Sequence, residues 1–119
     1  MLAIKAILAD RDQIETLIFD EIDTGISGIT AGKVGDRLRL IGKSRQVICI
    51  THLPQIAATA DHHFLIRKKA EGTSVRTDVE MLDEAASVEE LARLLGGANV
   101  TERVMESAKE LKELAKCER

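Results

Sequence analysis

Apolar positions change their period along the chain, and each change marks an element. In MLAIKAILAD, Met1, Ile4, Ile7 and Leu8 fall on one face of a 3.6-residue repeat, which predicts a helix. The pattern is already running at the first residue, with no Ser, Thr or Asp cap before it. The expectation is a helix entered partway, in a chain that is a piece of something longer; a helix that simply starts at Met1 is the alternative. TLIF, residues 16–19, is a short unbroken apolar run, as in a parallel strand buried on both faces. ITAGKVGDRLRLIG returns to helical spacing, with Val34, Leu38 and Ile41 on one face and Gly42 at the expected C-cap. Gly32 and Gly35 inside it each cost about 1 kcal/mol relative to Ala, which points to a close backbone approach on that face. QVICIT is a second apolar strand, and HLPQIAATA a short helix with Pro54 in its first turn. Strand, helix, strand, helix predicts a right-handed crossover and hence parallel strands.

The second half has a different rhythm. HHFLIRKK and SVRTDVEML are joined by AEGT. Val75, Thr77, Val79 and Met81 alternate with Arg76, Asp78 and Glu80, the mark of a half-exposed antiparallel strand in a hairpin. SVEELARLLGG reads as a helix opened by a capping box, Ser87 with Glu90, and closed at Gly96–Gly97. Thr101 caps a last helix that runs to about Lys116, with Val104, Ala108, Leu111 and Ala115 on its apolar face. No linker divides the chain, so residues 1–119 read as a single α/β domain with parallel strands, a β-hairpin and C-terminal helices.

Composition narrows the function. At 119 residues and 45% hydrophobic, the chain is one domain's worth with a modest core. Phe19 and Phe64 are the only aromatic residues, which argues against a module that stacks nucleic-acid bases. A net charge of −3 offers no electrostatic footprint for wrapping DNA. The basic run Arg67–Lys68–Lys69 is answered by nearby acids and reads as a solvated strand end. Cys49 and Cys117 lack C-x-x-C spacing, which fits a reducing compartment rather than a disulfide framework or zinc site. No run reaches the length of a membrane span, and no signal-peptide layout opens the chain. A cytoplasmic protein without membrane contact is expected.

Candidate chemistry gathers at the strand ends. A parallel α/β sheet presents its ligand site beyond the C-terminal ends of its strands. Asp20–Glu21 and Thr51–His52 fall at two such ends, which predicts one shared rim. A strand that delivers an acid suits a magnesium–phosphate complex, since a rigid strand end fixes a carboxylate beside the cation. A second carboxylate one residue on can accept a proton from an attacking water, and His52 can hydrogen-bond a terminal phosphate. Either acid alone would more often cap the following helix, and His52 alone would more often be a packed or capping histidine. The three together are harder to explain that way, because poorly solvated carboxylates cost about a few kcal/mol without partners. A metal cluster of His52, Asp61, His62 and His63 is disfavoured, because adjacent strand residues point to opposite faces. Ser27 as a nucleophile lacks the G-x-S-x-G elbow.

TLIFDEIDTGISG, followed further on by QVICITHLPQIAATADHHFLI, resembles the C-terminal part of the ATPase head of the RecN family, bacterial SMC-like DNA-repair ATPases of the ABC class. The likeness extends to MLAIKAILAD and EELARLLGG. It implies a partial P-loop NTPase fold, in which TLIFDE is the Walker B strand. Asp20 would support magnesium through water, Glu21 would polarise the attacking water, and His52 would be the switch histidine at the γ-phosphate. The segment from Asp23 to Ser27 would cross to a second head in an ATP-bound dimer. Where the wider ABC class carries Asp, this chain has Ser27, and Asp23 stands earlier, as in SMC heads.

These residues contain no G-x-x-x-x-G-K-[ST] phosphate cradle, no LSGG-type signature and no coiled-coil heptads. The resemblance therefore implies the distal portion of one head, without the elements that grip phosphate. ATP and magnesium are expected in the complete protein and not on this chain alone. Expected partners are the rest of the head, a second head, and DNA through the complete protein, in a bacterial, nucleoid-associated setting. Buried parallel strands lacking neighbours predict an exposed sheet edge or apolar face and self-association. The alternatives are a stand-alone interaction module that keeps the fold without catalysis, and a head portion of another SMC-like ATPase.

Overall fold

Two strand pairs, one parallel and one antiparallel, organise the residues that the computed structural model describes, 13–20 and 25–117. The expected helix over MLAIKAILAD, together with Glu21 and Asp23, lies outside the described residues. In chain order the elements are β1 (Thr16–Asp20), α1 (Gly28–Gly42), β2 (Gln46–Ile50), α2 (Pro54–Ala57), β3 (His63–Glu71), β4 (Ser74–Leu82), α3 (Glu84–Gly96) and α4 (Glu102–Cys117). The chain divides into two compact units, Met1–Ile56 and Ala57–Arg119.

In the first unit β1 and β2 run parallel, in register from Thr16↔Gln46 to Asp20↔Ile50, with α1 as the crossover. Gln46 N–H donates to Glu15 O at 2.9 Å, extending the pairing at its N-terminal end. Phe19, Ala31, Leu38 and Ile56 form the core, with Leu17, Ile26, Val34, Val47, Cys49 and Leu53 packed around them. Burying one side chain such as Phe19 contributes about 1.5–3 kcal/mol. Among the described residues, however, only one face of the pair is covered. Leu17, Phe19, Val47 and Cys49 belong to the core, while Ile18, Ile48 and Ile50 are 64%, 44% and 45% exposed. The expectation of strands buried on both faces is corrected here, because a single crossover helix can cover only one side of two strands.

Two details of α1 also differ from expectation. The helix continues through Gly42 and is capped at Lys43, whose N–H donates to Leu40 O at 3.3 Å, while Ser44 N–H donates to Ile41 O at 3.3 Å. A Cβ at Gly32 would meet nothing within 4 Å, so no close approach occurs there; Gly35 is buried.

In the second unit β3 and β4 form a hairpin, paired from His63↔Leu82 to Glu71↔Ser74, with Gly72 at φ +62° in its turn. That torsion favours glycine and explains its place in AEGT. Asp83, not Ser87, caps the following helix: its side chain accepts from Ala86 N–H at 2.8 Å. The helix therefore starts a turn earlier than the capping box predicted, and Ser87 and Glu90 are buried inside α3. The end is as expected, with Gly97 at φ +63° and its N–H on Arg93 O at 2.8 Å. Thr101 caps α4 through its hydroxyl, which accepts from Val104 N–H at 3.3 Å. Ala57, Ala58, Leu91, Ala92, Ala108 and Ala115 make the second core, with Val88, Leu94, Val104, Met105 and Leu111 around it. Small residues bring α3 and α4 close: a Cβ at Gly96 would stand 3.0 Å from Val104 Cγ1.

Candidate functional site

Asp20 is the last residue of β1 and is exposed, and its register partner is Ile50, the last residue of β2. Parallel pairing therefore carries both chain segments out over the same rim. Beyond Ile50 the chain turns tightly. Thr51 Oγ1 accepts from Leu53 N–H at 3.0 Å, and Ile56 N–H donates to Leu53 O at 3.1 Å to begin α2. His52 sits in this braced turn, exposed. The register thus brings Asp20 and His52 to one rim.

Ser27 stands at the N-cap of α1 with extended backbone, φ −81° and ψ 166°. Its carbonyl accepts from Ala31 N–H at 2.8 Å, but its side chain caps nothing. Its hydroxyl lies 3.3 Å from Thr30 Oγ1. Among the described residues no three His, Cys, Asp or Glu side chains gather as a metal cluster. Cys49 and Cys117 are thiols. No described helix is long and apolar enough to cross a membrane.

Asp20 suits a hard cation, since an exposed carboxylate on a fixed strand end offers oxygen ligands. His52 suits an anion, since a ring N–H can donate from this exposed turn.

Sequence reasoning missed two features. Gln55, three residues past His52, packs its amide against Gly28. The second feature is a buried polar group in the other unit. His63 Nδ1 lies 2.8 Å from Ser87 Oγ, while Glu90 and Lys112 are only 9% and 6% exposed. Arg93 clamps Glu90 with two bonds, at 2.8 and 2.5 Å. Burial pushes the His63 pKa below 6.5, the Lys112 charge adds to this, and Glu90 opposes it. Arg93 is held more firmly protonated by its hydrogen bond to Glu90. The signal was present in the spacing of Ser87, Glu90 and Arg93, which share one helix face. Beside this group, a cleft of about 270 Å³ is floored by Leu65, Leu82 and Ala86 and rimmed by Arg67, Glu89 and Arg93.

The fold belongs to a known class. It matches a solved chain from work on ATP-driven dimerization and DNA-stimulated activation of SMC ATPases, with a TM-score of 0.64. The match covers 82% of this chain and 58% of that one at 20% identity, which establishes an SMC ATPase-like fold and nothing finer. Sequence relatives are more specific. The chain is 46% identical to the DNA repair protein RecN of Halalkalibacterium halodurans over 115 residues, 97% of this chain and 20% of that protein. RecN of Vibrio cholerae is 46% identical over 110 residues, 92% of this chain and 20% of the relative. RecN of Streptomyces coelicolor is 40% identical over 119 residues, 100% of this chain and 21% of the relative. The resemblance to RecN read from TLIFDEIDTGISG and THLPQIA thus holds across nearly the whole chain, which spans about a fifth of the length of these relatives. No profile of a known protein family matches the chain.

Proposed function

We propose that this chain is the distal portion of a RecN-like ATPase head, one that serves DNA double-strand-break repair and recombination in the complete protein. Similarity to RecN proteins over 97% of the chain carries this reading. The shared rim of Asp20 and His52 supports it, because a Walker B strand and a switch histidine need adjacent parallel strand ends.

In this reading Asp20 holds magnesium through water, and Asp23 and Ser27 belong to the segment that meets a second head. Magnesium, when bound, offsets the charge of the phosphates. Glu21 takes the proton of the attacking water. His52 donates a hydrogen bond to the terminal phosphate from a turn braced by Thr51. Positioning is nearly all of this chemistry. Residues 1–119 act as one portion of one head and, without a phosphate cradle, neither bind ATP tightly nor hydrolyse it alone. Apolar faces left open on the chain lead it to self-associate.

The test uses a RecN chimera in which this chain replaces the matching segment of the Halalkalibacterium halodurans protein. Glu21→Gln is expected to abolish turnover while ATP binding persists. Unchanged turnover removes Glu21 from the role of base.

A further inference from the structure

We propose that Gln55 is a positioning residue, coupling the turn that carries His52 to the Ser27–Gly28 turn; this rests on the ATPase reading above. Gln55 is the second residue of α2. Its amide lies against the start of α1, where a Cβ added to Gly28 would stand 3.3 Å from Gln55 Nε2 and 3.9 Å from its Cδ. A side chain at position 28 would have to displace that amide. The amide would need to give by only a few tenths of an ångström, which places the two turns in close contact.

The amide oxygen tells the other half. Gln55 Oε1 is buried and has no hydrogen-bond partner among the described residues. A buried acceptor left unsatisfied costs about 1–3 kcal/mol, and native folds carry few of them. Methionine has nearly the same length and would fill this space without that cost. Packing alone does not ask for an amide here.

What the side chain joins is unequal. The His52 turn is braced by Thr51 Oγ1 on Leu53 N–H and by Ile56 N–H on Leu53 O. The Ser27 turn has no side-chain cap. Gln55 packs the turn without a side-chain cap against the braced one, so the Ser27–Gly28 turn and the histidine turn take up position together. Small misplacements of such groups are costly to a reaction that depends on alignment.

The experiment is Gln55→Met in the RecN chimera, beside Glu21→Gln as control. Turnover is expected to fall about tenfold or more, with ATP affinity within about twofold and melting temperature unchanged or raised. Turnover within twofold of the parent, while Glu21→Gln abolishes it, overturns the role of Gln55 and leaves the ATPase reading standing. Lost turnover matched by lost stability also overturns it, since that is a packing role. A chimera that never turns over, or one indifferent to Glu21→Gln, overturns the ATPase reading and this proposal with it. A second measurement needs no activity. In the 119-residue chain, Gly28→Ala is expected to move the side-chain amide resonances of Gln55, and unmoved resonances overturn the coupling.

Discussion

Neighbouring histidines in HHF have different settings. His62 is exposed, whereas His63 is half-buried against Ser87, with Glu90 on α3 and Lys112 on α4 acting on its charge. Both burial and Lys112 penalise the imidazolium, so the fold favours neutral His63 and its pKa lies below 6.5. The stability this contributes is present above the unfolded value near 6.5 and is lost as pH falls through the lower, folded value. Unfolding midpoints in denaturant are therefore expected to drop on acidification through that window. His63→Gln should flatten the drop. Lys112→Met should move the NMR titration of His63 upward, toward 6.5. A titration that stays in place would show that the Lys112 charge does not reach the ring. Doublet HH revealed only that the two residues face opposite ways; which of them meets a helix is a tertiary fact.

Helix α3 shows how local signals compete. DEAASVEE contains two possible starts, an Asp at 83 and a Ser–Glu box at 87 and 90, and the capping-box pattern pointed to the later one. Structure chose Asp83, because starting there lets Ser87 and Glu90 turn inward, where His63 and Arg93 satisfy them. Asp83→Ala is expected to lower unfolding stability by about 1 kcal/mol, and Asp83→Ser to restore most of it. A neutral Asp83→Ala in denaturant melts would return the start to Ser87. Elsewhere the elements were legible: both strand pairs, the Gly97 stop, the Thr101 cap and the apolar face of α4 follow the sequence pattern closely.

For the chain as a whole, the hairpin matters most. Phe64↔Met81, Ile66↔Val79 and Ala70↔Val75 are paired across it, so its apolar side chains share one face. Phe64, Ile66, Val75, Val79 and Met81 are each at least half exposed, so this stripe is not the buried side. Exposed apolar stripes of this kind favour association. Light scattering of the chain is expected to show mass rising with concentration, and Val79→Lys to suppress the rise. A monomer at every concentration would count against self-association. Calorimetry with Mg-ATP belongs to the same scale, since binding depends on groups from the whole head. The chain alone is expected to give no micromolar binding, and micromolar heat would overturn that part of the proposal.

Periodicity by itself determined the elements, their order, and the parallel crossover that sets Asp20 and His52 on one rim. Those features depend on contacts close in sequence, and on a handedness rule that few folds escape. Tertiary structure alone decided which faces are covered: Phe19 in but Ile18 out, and Ser87, Glu90 and Lys112 inside despite their polarity. An alternating strand says which residues share a face and is silent about what lies against it. Burial is a property of neighbours, and the neighbours of these strands and helices are chosen by the fold. So it is with TLIFDEIDTGISG: its residues announce a strand ending in acid, and only the fold sets the Gln55 amide beside Gly28.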